Sequence, residues 1–193
     1  DVQKRLLRDA GIAIAKFLTL QLRDRKRTGF AEAKRALGLP LFVKPANAGS
    51  SVGVSKVGTE SEFRQAVEQA FNYDAKILLE EAIEGREIEC AVLGNENPIA
   101  SAPGEVKPTH EFYSYEAKYI DENGAKLEIP ARLPKILVKK VQGIAIAAFK
   151  TLECEGMARV DCFVTKDGKV LVNEINTIPG FTKISMYPKL FEA

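Results

Sequence analysis

Hydrophobic positions along this chain switch between a helical and a strand period, and the switches mark out its elements. Near the start, Val2, Leu6, Leu7 and Ala10 fall on one helical stripe, and Gly11 can cap it. Residues 13–20 read as β-like around Phe17, Leu18 and Leu20. A short helix is predicted from Phe30 to Leu37, stopped by Gly38 and Pro40. Strand Leu41–Lys44 follows, then a small-residue loop, then a strand from Val52 to Val57. Thr59-Glu60-Ser61-Glu62 has capping-box form and opens a helix to about Phe71. Residues 76–80 and Glu87–Leu93 read as further strands.

Between Ser101 and Arg132 the pattern weakens into a long loop with short strands, the kind of segment that often serves as a lid (about 104–132). Residues 135–153 form the clearest helix, with Ile136, Leu137, Val141, Ile144, Ala145, Ala148, Phe149 and Leu152 as its buried stripe. Strands Met157–Val164 and Val170–Ile175 are joined by a turn containing Asp167-Gly168, a strong hairpin signal. Pro179-Gly180 and a short helical piece close the chain. The class is α+β, and a division near residue 79 gives two units, 1–79 and 80–193.

Composition narrows the chemistry. With 46% apolar and 28% charged residues in 193, the chain has the makings of a globular fold. A net charge of +2 carries no footprint for nucleic acid, and Arg23-Asp24-Arg25-Lys26-Arg27 reads as a solvated loop. His110 is the one histidine, so a site needing two cannot form in one chain, and it reads as an incidental surface residue beside Glu111. Cys90, Cys154 and Cys162 have no CxxC spacing, which disfavours structural zinc and fits a reducing cytoplasm. No apolar run reaches membrane-span length. The chain opens Asp1-Val2-Gln3-Lys4, with neither an initiator methionine nor a signal core, as expected of a piece of a longer protein.

Four stretches carry candidate chemistry. In the hairpin 157–176, a turn of two or four residues centred on Asp167-Gly168 sets Asp161 opposite Glu174 and Arg159 opposite Asn176, all on one face. Paired carboxylates repel, so a cation belongs between them. Oxygen ligands suit Mg²⁺; the alternative is an exposed polar face neutralised by Arg159. Residues 45–53 form a Gly/Ser loop behind Lys44, able to cradle phosphate through backbone N–H groups or to act as a plain turn. GxxxxGK[ST] and GxGxxG are both absent. Glu80-Glu81-Ala82-Ile83-Glu84-Gly85-Arg86-Glu87 offers strand-end carboxylates for ribose or adenine, or a solvated connection. Glu116-Ala117-Lys118-Tyr119 places a lysine and a tyrosine in the loop, where Lys118 could reach a phosphate and Tyr119 could anchor a lid.

Together these stretches resemble the ATP-grasp superfamily, and closely its D-alanine–D-alanine ligase family. The matching residues are Leu39-Pro40-Leu41-Phe42-Val43-Lys44-Pro45 with Gly49-Ser50-Ser51-Val52-Gly53, Glu80 through Glu87, and Glu116 through Tyr119. Most specific are Arg159-Val160-Asp161 and Asn173-Glu174-Ile175-Asn176-Thr177-Ile178-Pro179-Gly180-Phe181-Thr182.

The resemblance implies an ATP-grasp fold with the nucleotide between two α+β subdomains. It implies that Lys4 and Lys44 contact adenine and phosphates, that Glu80, Glu81, Ile83 and Glu87 hold adenine and ribose, and that Gly49, Ser50 and Ser51 cover the phosphates. Asp161, Glu174 and Asn176 would bind two Mg²⁺, or Mn²⁺ in their place. Lys118 would approach the γ-phosphate, and Arg159 with the Gly180 backbone would steady the tetrahedral intermediate. Ser185 and Met186 would take the carboxylate of a second D-alanine. Tyr119 resembles the dipeptide-forming branch, in which Tyr119 and Ser50 link to a glutamate of an N-terminal domain outside these residues. The implied activity is ATP-dependent joining of two D-alanines through an acyl phosphate, by a cytoplasmic enzyme that is a homodimer at full length. The alternatives are a different amine acceptor, or a module that binds Mg-ATP without turnover.

Overall fold

The structure is a computed structural model, and it describes residues 1–25, 29–49, 51–108, 125–182 and 185–193. The chain divides into two compact units. One holds Asp1 and Ala15–Ala82, with the strand ends Pro108 and Ala125; the other holds Val2–Ile14, Ile83–Lys107 and Lys126–Ala193.

The first unit is a four-stranded antiparallel sheet carrying two helices. Its strands are β1 (Phe17–Gln21), β2 (Leu41–Pro45), β3 (Ser55–Val57) and β4 (Lys76–Glu81), in the order β1-β4-β2-β3. Helices α2 (Phe30–Leu37) and α3 (Glu60–Phe71) bring Ala33, Leu37, Phe63, Ala66 and Ala70 against Leu41, Val43, Ile77 and Leu79. The expected capping box is present: Thr59 Oγ1 accepts from the Glu62 N–H, and Glu62 accepts from the Thr59 N–H at 3.0 Å. Strand period two turns Phe42 and Lys44 of β2, and Leu78 and Glu80 of β4, to the face away from this core.

Two expectations shift here. The strand expected from Val52 begins only at Ser55, because residues 51–54 form a turn with Ser51 and Gly53 at φ 60° and 70°. A Cβ on Gly53 would lie 2.6 Å from the Tyr73 ring, so glycine suits the position twice over. Of the β-like residues 13–20, only Phe17 onward is strand, while Ile14 makes an isolated bridge to Val172.

The second unit is built on β5 (Gly85–Leu93), β6 (Ile99–Ala100), β7 (Gly104–Pro108), β8 (Ala125–Glu128), β9 (Met157–Thr165) and β10 (Val170–Asn176). They form one sheet in the order β10-β9-β5-β7-β8, with β6 beside β5. Helix α4 (Lys135–Thr151) packs Val141, Ala145, Ala148 and Phe149 onto Ile88, Cys90, Val92, Val160, Cys162 and Val172. Helix α1 (Val2–Asp9) adds Leu7 to the same core, which is why it groups with this unit rather than with residues 15–82. The division falls after Ala82 rather than at residue 79, because β4 runs on to Glu81 to pair with Leu41. A short helix, α5 (Met186–Glu192), ends the chain, and Tyr187 donates from its hydroxyl to the Val92 carbonyl at 3.0 Å. All three cysteines are free thiols, and burial pushes the Cys90 thiol up to about 12.

The hairpin β9–β10 differs from expectation in an instructive way. Its loop is Lys166-Asp167-Gly168, three residues rather than two or four. Thr165 pairs with Lys169, and Gly168 sits at φ 75°. Near the turn, Val172 lies opposite Cys162; a bulge at Asn173 then shifts the register by one residue. The shift brings Glu174 opposite Asp161 and Asn176 opposite Arg159, the pairs expected, although the turn is a different one.

Two predictions concern this unit. A Cβ on Gly104 would lie 2.7 Å from Leu190 Cδ2 and 2.8 Å from Met186 Cε. Gly104→Ala therefore forces the Leu190 and Met186 side-chain ends to shift and should cost about 1–3 kcal/mol, read from the urea midpoint. Glu105 is buried, and its two carboxylate oxygens accept from Arg86 Nε and Nη2 at 2.8 and 2.7 Å. Hydrogen bonding to Arg86, opposed by burial and aided by Lys107, holds its carboxyl below the ordinary 4.5. That stabilisation is present above pH 4.5 and is lost as pH falls through the lowered value. Glu105→Gln should thus melt earlier than the parent at neutral pH, with the gap closing as unfolding is followed into acid.

Candidate functional site

The face of the second sheet turned away from its core is acidic. On β9, Ala158, Val160, Cys162 and Val164 are buried in the core, so Arg159 and Asp161 project the other way. Register places Glu89 of β5 opposite Asp161 on one side and Glu174 of β10 opposite it on the other. Three carboxylates thus stand in a row across three strands, with Arg159 and Asn176 as the adjoining pair. Glu87 lies two residues before Glu89 on the same face.

Arg159 answers the repulsion in this row. Its Nε and Nη2 donate to the two oxygens of Asp161, each at 2.7 Å, in the forked geometry that suits guanidinium and carboxylate. Its Nε also lies 3.1 Å from Glu89 Oε2. Burial of this arginine works against its charge, but Asp161, Glu89 and Glu174 outweigh burial and raise its pKa. One guanidinium among three carboxylates still leaves the row net negative. Asn176 is turned toward the next segment, where its Oδ1 accepts from the Ile178 N–H at 3.1 Å.

A hard cation fits this chemistry. Asp161, Glu174 and Asn176 supply oxygen donors, and magnesium takes one or two carboxylates with substrate phosphates and water rather than a full protein cage. Among the described residues, no three His, Cys, Asp or Glu side chains converge as a ready metal cage.

In the first unit, Lys44 Nζ pairs with Glu80 Oε2 at 2.7 Å on the sheet face away from the core. Glu80 is almost wholly buried and Lys44 mostly so, with side-chain exposures of 6% and 20%. Glu81 Oε1 accepts from the Lys16 N–H at 2.7 Å, and the Glu81 N–H donates to the Lys16 carbonyl at 3.1 Å. Gly49 accepts from the Val52 N–H at 3.1 Å, shaping the small-residue loop. Asp74 anchors the start of that loop, accepting from the Asn47 N–H and Nδ2, both at 2.8 Å. Burial would raise the Asp74 carboxyl, but the Lys76 and Asn47 N–H groups hold it below its ordinary value.

The remaining expected residues are placed as follows. Lys4 is buried on α1, and Ile83 and Glu87 are half-buried at and after the turn into β5. Gly180 and Ser185 approach closely: a Cβ on Gly180 would lie 2.9 Å from Ser185 Oγ, which also accepts from the Thr182 N–H at 3.0 Å. Met186, the first residue of α5, is buried. Ser50, Lys118 and Tyr119 lie outside the described residues, as do Lys26, Arg27 and His110.

Sequence reasoning missed Glu89 and Asp74. The signal for Glu89 was present, since it stands two residues after Glu87 in a strand and must share its face. The Asp74 hydrogen bond from the Lys76 N–H is local, but its hold on Asn47 is not legible, because that partner is 27 residues away.

A family model described as "D-ala D-ala ligase C-terminus" matches residues 6–193. The chain is 60% identical, over its whole length, to the D-alanine--D-alanine ligase of Oceanobacillus iheyensis, covering 52% of that protein. It is also 60% identical to D-alanine--D-alanine ligase A of Salmonella typhimurium, covering 53%. The chain therefore spans about half the length of the curated relatives it matches. Among solved structures, the D-alanine-D-alanine ligase from Coxiella burnetii superposes with a TM-score of 0.85 at 47% identity, over 100% of this chain and 50% of that one. VanG D-Ala:D-Ser ligase from Enterococcus faecalis superposes with a TM-score of 0.89 at 37% identity, over 98% of this chain and 55% of that one. With its α+β ATP-grasp architecture and its acidic sheet face, the chain belongs to the D-alanine–D-alanine ligase family, whose C-terminal part it matches.

Proposed function

We propose that the enzyme carrying this chain joins two D-alanines into D-alanyl-D-alanine at the expense of ATP, for peptidoglycan precursor synthesis. The observation that carries this reading is the Glu89–Asp161–Glu174 row with Arg159 set into it, in a chain of this family. The carboxylate of one D-alanine attacks the γ-phosphorus of ATP, the bond to ADP breaks, and an acyl phosphate forms. The amine of the second D-alanine then attacks the acyl carbon, phosphate leaves, and the nitrogen gives up a proton.

In this reading Lys44 places a point charge against phosphate, with Lys118 as its counterpart in the loop. The backbone around Gly49, Ser50 and Ser51 approaches the phosphates, and Glu80, Glu81, Ile83, Glu87 and Lys4 hold adenine and ribose. Asp161, Glu174 and Asn176 would hold Mg²⁺, or Mn²⁺ in its place, and the metal would neutralise charge during phosphoryl transfer. Arg159 and the Gly180 N–H steady the oxyanion of the second step. Ser185 and the Met186 backbone bind the acceptor carboxylate, while Tyr119 and Ser50 orient the first D-alanine through another domain. We further place the whole enzyme in the cytoplasm, where ATP is supplied, and infer a homodimer without nucleic-acid or membrane partners. No helix among the described residues is long and apolar enough to cross a membrane.

A second reading, a different acceptor amine or hydroxyl, is favoured by the likeness to a D-Ala:D-Ser ligase. Phosphate release from ATP should be measured on the full-length protein with D-alanine, D-serine, D-lactate, L-alanine or no acceptor. D-alanine should give the highest rate. With limiting D-alanine present as donor, extra release on adding D-serine or D-lactate but not further D-alanine would establish the second reading, and release that ignores every addition would defeat both. Arg159→Ala should lower kcat by about 10²–10³, the loss typical of an oxyanion donor. Glu174→Gln should abolish metal-dependent turnover, and unchanged activity would remove the hairpin metal site.

A further inference from the structure

The reading above gives Glu89 no role of its own, yet Glu89 completes the carboxylate row. It stands on β5 directly opposite Asp161, and it is held mostly out of water, with a side-chain exposure of 14%. Its Oε2 lies 3.1 Å from Arg159 Nε. The same Nε gives its N–H to Asp161 Oδ1, so the contact with Glu89 is an ion pair by distance rather than a second hydrogen bond.

Both oxygens of Asp161 are taken by the guanidinium. A divalent cation at Asp161 needs at least one of them, and it repels the guanidinium as well. That repulsion weakens the fork of Arg159 on Asp161. Losing that partner outright would leave a half-buried cation without a counter-charge beside a newly arrived metal, which is costly. Opposite Arg159 on β5 is Ala91, and the next residue on that face is Glu89. No longer side chain of β5 intervenes, and the Nε is already within ion-pair distance of Glu89.

We propose that Glu89 is a positioning residue: it holds Arg159 on the sheet face when Asp161 turns an oxygen to the metal, so that the guanidinium exchanges partners instead of losing them. The inference rests on the proposed metal role of Asp161. Glu89 acts through Arg159 and keeps the arginine aimed at the reacting groups in the metal-loaded state. A direct third metal ligand is the rival role, and the two differ in whether Arg159 is needed.

Mn²⁺ binding to the full-length enzyme, followed by electron paramagnetic resonance of the free ion, separates them. Glu89→Gln, Arg159→Ala and the double variant complete a cycle with the parent. With Arg159 present, Glu89→Gln should weaken Mn²⁺ binding about fivefold; with Arg159→Ala in place, the same change should cost less than about twofold. The metal-free melting temperature of Glu89→Gln should stay near that of the parent, since the Arg159 fork on Asp161 is intact, while the rise on adding Mn²⁺ should shrink. Equal losses in both backgrounds would make Glu89 a ligand and overturn the proposal, as would no loss with Arg159 present. Asp161→Asn that binds Mn²⁺ like the parent would overturn the metal reading and this inference together. Should Glu89→Gln fail to fold, Glu89→Asp enters the same cycle. Its shorter carboxylate keeps the charge but withdraws from Arg159, so a loss that again needs Arg159 supports the proposal and an Arg159-independent loss sinks it.

Discussion

Three carboxylates set side by side across β5, β9 and β10 repel one another, and the second unit tolerates them only because a cation lies among them. Arg159 provides that cation, held by Asp161 in a forked pair and by Glu89 alongside. The opposite face of the same strands is mostly apolar, packed by α4 and by Leu7 of α1. The core can therefore stabilise a face that would not form a stable sheet by itself. A negative row with one resident cation is also a place where a second cation is electrostatically welcome, which is the property a nucleotide-metal site needs.

The first unit solves a similar problem on a smaller scale. Its sheet buries one face under α2 and α3 and leaves Lys44 and Glu80 on the other. These two groups are paired at 2.7 Å, so neither charge is desolvated alone. The small-residue loop that follows β2 is pinned at its start by Asp74 and turned by two residues with positive φ.

Family membership and geometry limit one another usefully. Identity of 60% over the whole chain makes the family plain, but the chain spans about half of those relatives. What the structure adds is residue-level content. It shows that the hairpin residues named from sequence share one face, that Gly180 and Ser185 are close neighbours, and that Arg159 occupies both oxygens of Asp161. The last point is one that sequence likeness does not give: Asp161 already has a cationic partner on the sheet face.

Local chemistry was legible in the residues alone. The capping box at Thr59, the helices Phe30–Leu37 and Glu60–Phe71, and the strands around Lys44 and Asp161 all follow from propensity, capping and period. These depend on neighbours within a few positions, so sequence determines them. The facing of Asp161 and Glu174 was also read, although the route to it was not. A three-residue turn and a bulge at Asn173 offset each other, and neither leaves an unambiguous local mark. Only the tertiary structure decided that α1 joins the second core, that Asp74 holds Asn47, and that β5 lies beside β9. Period two told which face Glu89 shares with Glu87, but not which strand would lie next to it. That neighbour is chosen by long-range packing of apolar faces over some 70 residues of chain, and it is what turned a pair of carboxylates into a row.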